Sequence, residues 1–138
     1  TKLKIASSST DADFIVKLID VYPADEKANP DKPVVVYANY HQLVRSEIMP
    51  ARFRNSFEKP EPLIPNKGVT IDVKLQDVLH TFKKGHKIQI QVQSTWFPLM
   101  AINPQKFLEN PYLATKDDYE RAEIKVSSGS TIEFEVLK

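Results

Sequence analysis

Three stretches of alternating residues, each introduced by a glycine, do most to limit what this chain can fold into. Gly68 leads into Val69, Ile71, Val73 and Leu75, with Thr70, Asp72 and Lys74 between them. Gly85 leads into Ile88, Ile90 and Val92, interleaved with Gln89, Gln91 and Gln93. Gly129 leads into Ile132, Phe134 and Val136, interleaved with Glu133 and Glu135. Successive side chains of an extended backbone point to opposite faces, so a period of two gives one dry face and one wet face. Each glycine closes a polar tripeptide (Asn66-Lys67-Gly68, Lys83-Lys84-Gly85, Ser127-Ser128-Gly129), the chemistry of a turn feeding a strand. The pattern predicts a β protein.

The remaining segments extend that reading. Leu3 to Ala6 predicts a short edge strand. Phe14 to Tyr22 is apolar on both faces and predicts a strand placed between neighbours. Val34 to Tyr40 and Leu43 to Arg54 also read as strands, with Pro50 marking a bulge or edge in the second. Ten prolines against three glycines imply stiff connections, and two are visible at Pro23 to Pro33 and Lys59 to Pro65. The one expected helix is a turn or two over residues 116–122, with Thr115 as N-cap and Asp117 and Asp118 in its first turn. Seven or eight strands with less than about a tenth of the chain in helix predict an all-β protein, a β-sandwich or jelly roll.

Composition bounds the function. The 138 residues amount to one domain, read here as a single β-sandwich over 1–138. Nineteen Lys and Arg against eighteen Asp and Glu leave a net charge of +1, which gives no reason to expect nucleic acid or an anionic membrane as partner. No apolar run approaches the ~20 residues of a membrane span. Without cysteine there is no disulfide, thiolate metal site or Cys nucleophile. Both a cytoplasmic and a periplasmic or secreted setting stay open, as does a homo-oligomer. A first residue other than Met is expected of a processed product or a fragment.

Catalytic chemistry is missing. A hydrolase nucleophile elbow needs G-x-S-x-G, because only glycine tolerates so sharp a turn, and Ser128-Gly129-Ser130 is the nearest approach. No catalytic residue, cofactor or metal is therefore assigned. His41, His80 and His86 lack ligand spacing and read as structural or solvated. Asp11, Asp13 and Asp20 could offer oxygens to calcium, but the simpler reading is a turn whose carboxylates bond backbone N–H groups. Arg52 and Arg54, two apart, would share a strand face that is solvated or ion-paired to Glu58 and Glu61.

The segment from Ser94 to Tyr112 is the anomaly. It carries three prolines and eight large apolar residues without strand or helix period. A loop that apolar must be covered, either by its own sandwich or by another domain. A sugar-binding groove is a third, weaker reading of its aromatics. Trp96, Phe97, Pro98, Leu99 and Met100 are the candidates for interdomain docking.

Four blocks carry a family resemblance. Ser8 to Phe14 followed by Val16 to Pro23 resembles S-x-T-D-A-D-W/F-V-V-K-L-I-D-V-Y-P. Arg52 to Pro62 resembles R-F-R-x-S-x-E-x-P-E-P, and His80 to Lys87 resembles H-x-F-x-K-G-H-R with Lys87 for Arg. Gln91 to Pro98 resembles Q-V-Q-S-S-W-F-P, followed by Asn103-Pro104. These belong to the C-terminal non-catalytic jelly-roll domain of the X-Pro dipeptidyl-peptidase, cocaine esterase and α-amino acid ester hydrolase (glutaryl-7-aminocephalosporanic acid acylase) family. Ala101-Ile102 stands where that family often has Asp-Arg.

The resemblance implies a galactose-binding-like jelly-roll β-sandwich, a fragment lacking upstream catalytic and cap domains and a first strand, that serves as an accessory domain bracing the α/β-hydrolase catalytic domain of the same parent protein. The parent would be a serine peptidase, esterase or acylase, and this chain by itself no enzyme. The alternative reading is an independent carbohydrate- or calcium-binding jelly-roll module.

Overall fold

The computed structural model describes residues 1–137. Six strands form in chain order: β1 (Lys2–Ser7), β2 (Asp13–Val21), β3 (His41–Pro50), β4 (Val69–Asp72), β5 (Lys87–Gln93) and β6 (Ile124–Val126). They make two antiparallel three-stranded sheets, ordered β4-β1-β6 and β3-β2-β5. The only helical elements among the described residues are three 3-10 turns, at Ala51–Phe53, Pro111–Leu113 and Lys116–Asp118. This is the inventory of an all-β sandwich.

The chain divides into two compact units. One comprises Thr1–Ile15, Ile48–Lys74 and the chain from Gln93 onward; the other comprises Val16–Glu47 and Leu75–Val92. In the first, β1 buries Leu3, Ile5 and Ser7 while Lys2 and Lys4 face solvent. Its register sets Leu3 opposite Ile71 and Ile5 opposite Val69 on one side, and Ile5 opposite Val126 on the other. β2 is buried along nearly its whole length, with Phe14, Ile15 and Val16 at most 1% exposed. Each such side chain removed from water contributes about 1.5–3 kcal/mol, so β2 is where burial is concentrated.

Several elements differ from the sequence expectation. β1 is central in its sheet, not an edge: lysines on one face report that face's exposure, not which backbone edges are bonded. Residues 34–40 form turns instead of a strand. Val35 N–H donates to Lys32 (3.0 Å), Tyr40 N–H to Tyr37 (2.9 Å), and Asn39 is left-handed at φ 56°. Residues 132–136 form no strand, because only Thr131 meets β1, at its first residue Lys2. The three-residue β6 pairs with β1 instead, without any alternation long enough to announce it. β3 stops at Pro50, whose ring cannot donate to a ladder, and Ala51–Phe53 curls into a 3-10 turn.

The helix expected at 116–122 is a single 3-10 turn, Lys116–Asp118. Asp118 Oδ2 accepts from both the backbone N–H (3.0 Å) and the hydroxyl (2.8 Å) of Thr115, and Tyr119 then returns to extended backbone. Gly85 sits at φ 93° in the turn where His86 N–H reaches the Lys83 carbonyl, a conformation only glycine adopts without strain.

Candidate functional site

The first block of the resemblance turns its polar side chains onto a later loop. Ala51 N–H donates to the Ala12 carbonyl (2.8 Å), which brings Arg52 beside Asp11. Arg52 Nε and Nη2 both donate to Asp11 Oδ2, at 2.9 and 2.6 Å, and its Nη1 donates to the Leu108 carbonyl at 2.8 Å. The guanidinium also lies 4.7 Å from the centre of the Phe107 ring. Asn103 Nδ2 joins the two aspartates, donating to Asp11 Oδ2 (3.2 Å) and Asp13 Oδ1 (2.9 Å). The Gln105 carbonyl accepts from Asp11 N–H (3.0 Å) and the Ser9 hydroxyl (2.5 Å), while Phe107 N–H donates to the Thr10 hydroxyl (2.8 Å).

The residues of Ser9 to Asp13 thus fasten the loop at 103–108. Asp11 bonds a guanidinium and an amide side chain, not the backbone N–H groups expected of a turn. Arg52 is buried, not on a solvated strand face, and only Arg54 reaches the expected Glu61, at 3.5 Å. Burial pushes the Asp13 carboxyl up from 3.8 to about 6, against the pull of Asn103; nearby Asp11 adds to the rise and Arg52 opposes it. Asp11 Oδ1 and Gln105 Oε1 are buried without a hydrogen-bond partner.

A second cluster lies in the other unit. Asp20, on β2, accepts from His80 Nε2 at 2.9 Å and His86 Nδ1 at 2.7 Å. Both Asp20 and His86 are 2% exposed at the side chain. Tyr22 packs on the His86 ring (4.4 Å) and on Tyr37 (5.9 Å) and Tyr40 (5.8 Å). His80 and His86 are bonded to Asp20 while His41 is exposed, and the meeting of two histidines at one carboxylate was not read from their spacing. The available signal was Asp20 itself: a carboxylate in a strand apolar on both faces must find partners when buried.

These groups bond one another. Among the described residues no group of three or more His, Asp or Glu is arranged to hold a metal ion. The aspartates weighed for calcium are divided, Asp11 and Asp13 around Asn103, Asp20 between two imidazoles. Ser130, beside the nearest approach to a nucleophile elbow, accepts from Lys4 N–H (3.0 Å) and donates to the Ser127 carbonyl (2.9 Å).

The apolar loop divides in two. Residues 103–108 are held down, with Pro104 fully buried and 105–108 half-buried, while Tyr112 at the far end is 86% exposed. The loop's first half is displayed. Phe97 and Leu99 are 67% exposed and Ile102 50%, Pro98 is exposed, and Trp96 and Met100 are half-buried. From Ser94 to Gln105 there is no charged residue.

Residues 1–130 match the family described as the X-Pro dipeptidyl-peptidase C-terminal non-catalytic domain. The structure is similar to that of an aminopeptidase from the marine sediment archaeon Thaumarchaeota archaeon, with a TM-score of 0.81 and 38% identity over 91% of this chain. It is also similar to a selenomethionine-labelled α-amino acid ester hydrolase, with a TM-score of 0.83 and 36% identity over 92% of this chain. The chain spans 20% of the length of each. No curated protein sequence matches it. On the family match and on these identities, the chain belongs to the X-Pro dipeptidyl-peptidase C-terminal non-catalytic domain family.

Proposed function

We propose that this chain is the accessory, non-catalytic domain of a larger serine hydrolase with an α/β-hydrolase catalytic domain, of the peptidase, esterase or acylase kind. It braces that catalytic domain and docks on it through Trp96, Phe97, Pro98, Leu99 and Met100. One observation carries the reading: an exposed, charge-free apolar segment is continuous with a loop pinned by the buried Asp11–Arg52–Asn103 network. Residues held in one shape before contact lose little freedom on docking, which leaves more of the apolar burial as binding energy. The motif side chains that could do chemistry, Asp20, His80 and His86, bond one another with no serine among them.

The first test is the gene. An upstream region encoding G-x-S-x-G followed by Asp and His supports the reading, and its absence removes it. The second is activity. The purified chain is expected to leave aminoacyl esters, proline dipeptide substrates and simple acyl esters intact. Labelling of one of its serines by a fluorophosphonate would show a nucleophile and refute the non-catalytic role.

A further inference from the structure

Asp20 divides its two oxygens between two imidazoles, and one of those rings also faces a second carboxylate. His86 Nδ1 lies 2.7 Å from Asp20 Oδ1, and His80 Nε2 lies 2.9 Å from Asp20 Oδ2. An ionised carboxylate only accepts, so each of these nitrogens carries a proton. In a neutral imidazole the other ring nitrogen is then bare. For His86 that nitrogen, Nε2, stands 3.7 Å from Glu26 Oε2, too far for a hydrogen bond. Two acceptors thus face each other across a gap, at a ring that is 2% exposed. With both imidazoles neutral, Asp20 and Glu26 carry two negative charges and the rings carry none.

Glu26 belongs to the connection from β2 to β3. Tyr22 N–H to the Tyr40 carbonyl (2.9 Å) and Asn39 N–H to the Pro23 carbonyl (3.2 Å) close its base, and Glu26 N–H also reaches the Pro23 carbonyl (3.2 Å). Farther out the bonds are local, as from Lys32 N–H to the Asn29 carbonyl (2.9 Å). We infer that His86 is a proton-operated latch on this connection: with its second proton it donates to Asp20 from Nδ1 and to Glu26 from Nε2 at once, tying residues 23–40 to β2. An imidazole takes that proton between about pH 8 and pH 5. Hydrogen bonds with an ionised partner are about twice as strong as neutral ones, so the connection is held more tightly in acid than at neutrality. The surroundings set this sign. β2 presents Asp20 and Tyr22 to the ring, and the connection presents Glu26, with Tyr37 and Tyr40 packed on Tyr22. His80 lies across Asp20, and Gln42 on β3 is uncharged and accepts from the Tyr22 hydroxyl (2.7 Å). Lys83, Lys84 and Lys87 beside His86 are exposed, as are Asp25 and Lys27 beside Glu26, and solvent screens them. The latch lies within this chain and does not rest on the accessory reading.

Hydrogen exchange of residues 22–40, followed by mass spectrometry on the full-length protein and corrected for the unfolded rate at each pH, tests it. Protection of that segment is expected to rise by on the order of five-fold between pH 8 and pH 5. In Glu26→Ala it should stay at the pH 8 level throughout. Glu26 is 27% exposed and outside the core, so this variant keeps the fold. His80→Asn should keep the rise, which separates the two imidazoles. Flat protection in the wild type overturns the inference. So does a rise that persists without Glu26 or vanishes without His80.

Discussion

Arg52 closes on Asp11 from one side: two guanidinium nitrogens reach the same oxygen, Oδ2, at 2.9 and 2.6 Å, and both residues are buried. A buried pair of this kind adds little over an apolar pair of the same shape, but removing one partner strands the other's charge away from water. Arg52→Ala should therefore destabilise the chain by about 3–5 kcal/mol, read as a lowered urea midpoint. Arg52→Lys should rescue little, because one ammonium cannot span Asp11 and the Leu108 carbonyl while lying flat on Phe107. A midpoint within error of wild type for either variant would mean the network does not hold the loop.

Asp13 gives the pH dependence its sign. Its folded value, about 6, stands above the ordinary 3.8, so the folded chain holds the proton more tightly than the unfolded one. Asp13's contribution to stability is greatest below 3.8, falls as pH rises from there through 6, and stays lower above. Asp13→Asn keeps an acceptor for Asn103 and removes the charge. It should match wild type near pH 4 and exceed it at pH 8 by on the order of 3 kcal/mol, an upper figure from the two-unit shift. Denaturant melts at the two pH values measure the gap, and a gap that does not widen with pH contradicts the assignment.

Asp118 runs the other way. The Thr115 backbone N–H, the Lys106 ammonium and the Thr115 hydroxyl hold its carboxyl down at about 2. Its contribution is complete above 3.8 and disappears as pH falls through 2. Asp118→Asn should lower the melting temperature slightly at pH 7 and not at all near pH 2, with the difference shrinking in high salt. A penalty of the same size at both pH values would point to the fold of the turn and not to the charge.

Asp20 is the point where His80 and His86 are tied to β2. Asp20→Ala leaves two ring nitrogens without their acceptor, one of them on a buried ring, and should cost more than His80→Ala, whose ring is 18% exposed. Amide exchange across residues 80–87 should rise with it. Additive losses in the Asp20/His80 double mutant would show that the two do not act as a pair.

Legibility in the sequence followed how local each cause is. Alternation in Val69–Asp72 and Lys87–Gln93 reflects one residue after the next, and those strands formed. The same alternation at 132–136 did not suffice, since a strand also needs a neighbour and β1 begins at Lys2. The β-branched run at 34–36 failed similarly: Tyr37 and Tyr40 are held by Tyr22, and no ladder is offered. At the candidate site, the apolar density of residues 94–112 announced a loop in need of cover. That Asn103 would join Asp11 to Asp13, and Arg52 reach across to Leu108, depends on residues 41 to 92 positions apart. No spacing rule spans such distances.

The two halves of that loop should respond oppositely to truncation. Phe97 and Leu99 are two-thirds exposed, so Phe97→Ala and Leu99→Ala should shift the stability of the isolated chain by no more than about 0.5 kcal/mol. Phe107, under the Arg52 guanidinium, belongs to the anchor, and Phe107→Ala should cost the isolated chain about 3 kcal/mol or more. In the full-length protein the ranking should invert for association. Aromatic anchors dominate such interfaces, so Phe97→Ala should weaken contact with the catalytic domain by about 2 kcal/mol or more while the domain stays folded. Urea melts of the isolated chain, set against the separation of two unfolding transitions in the full-length protein, measure both quantities. If Phe97→Ala and Leu99→Ala lower the isolated chain's midpoint as far as Phe107→Ala does, the first half of the loop serves the chain's own core. Docking through it would then be ruled out.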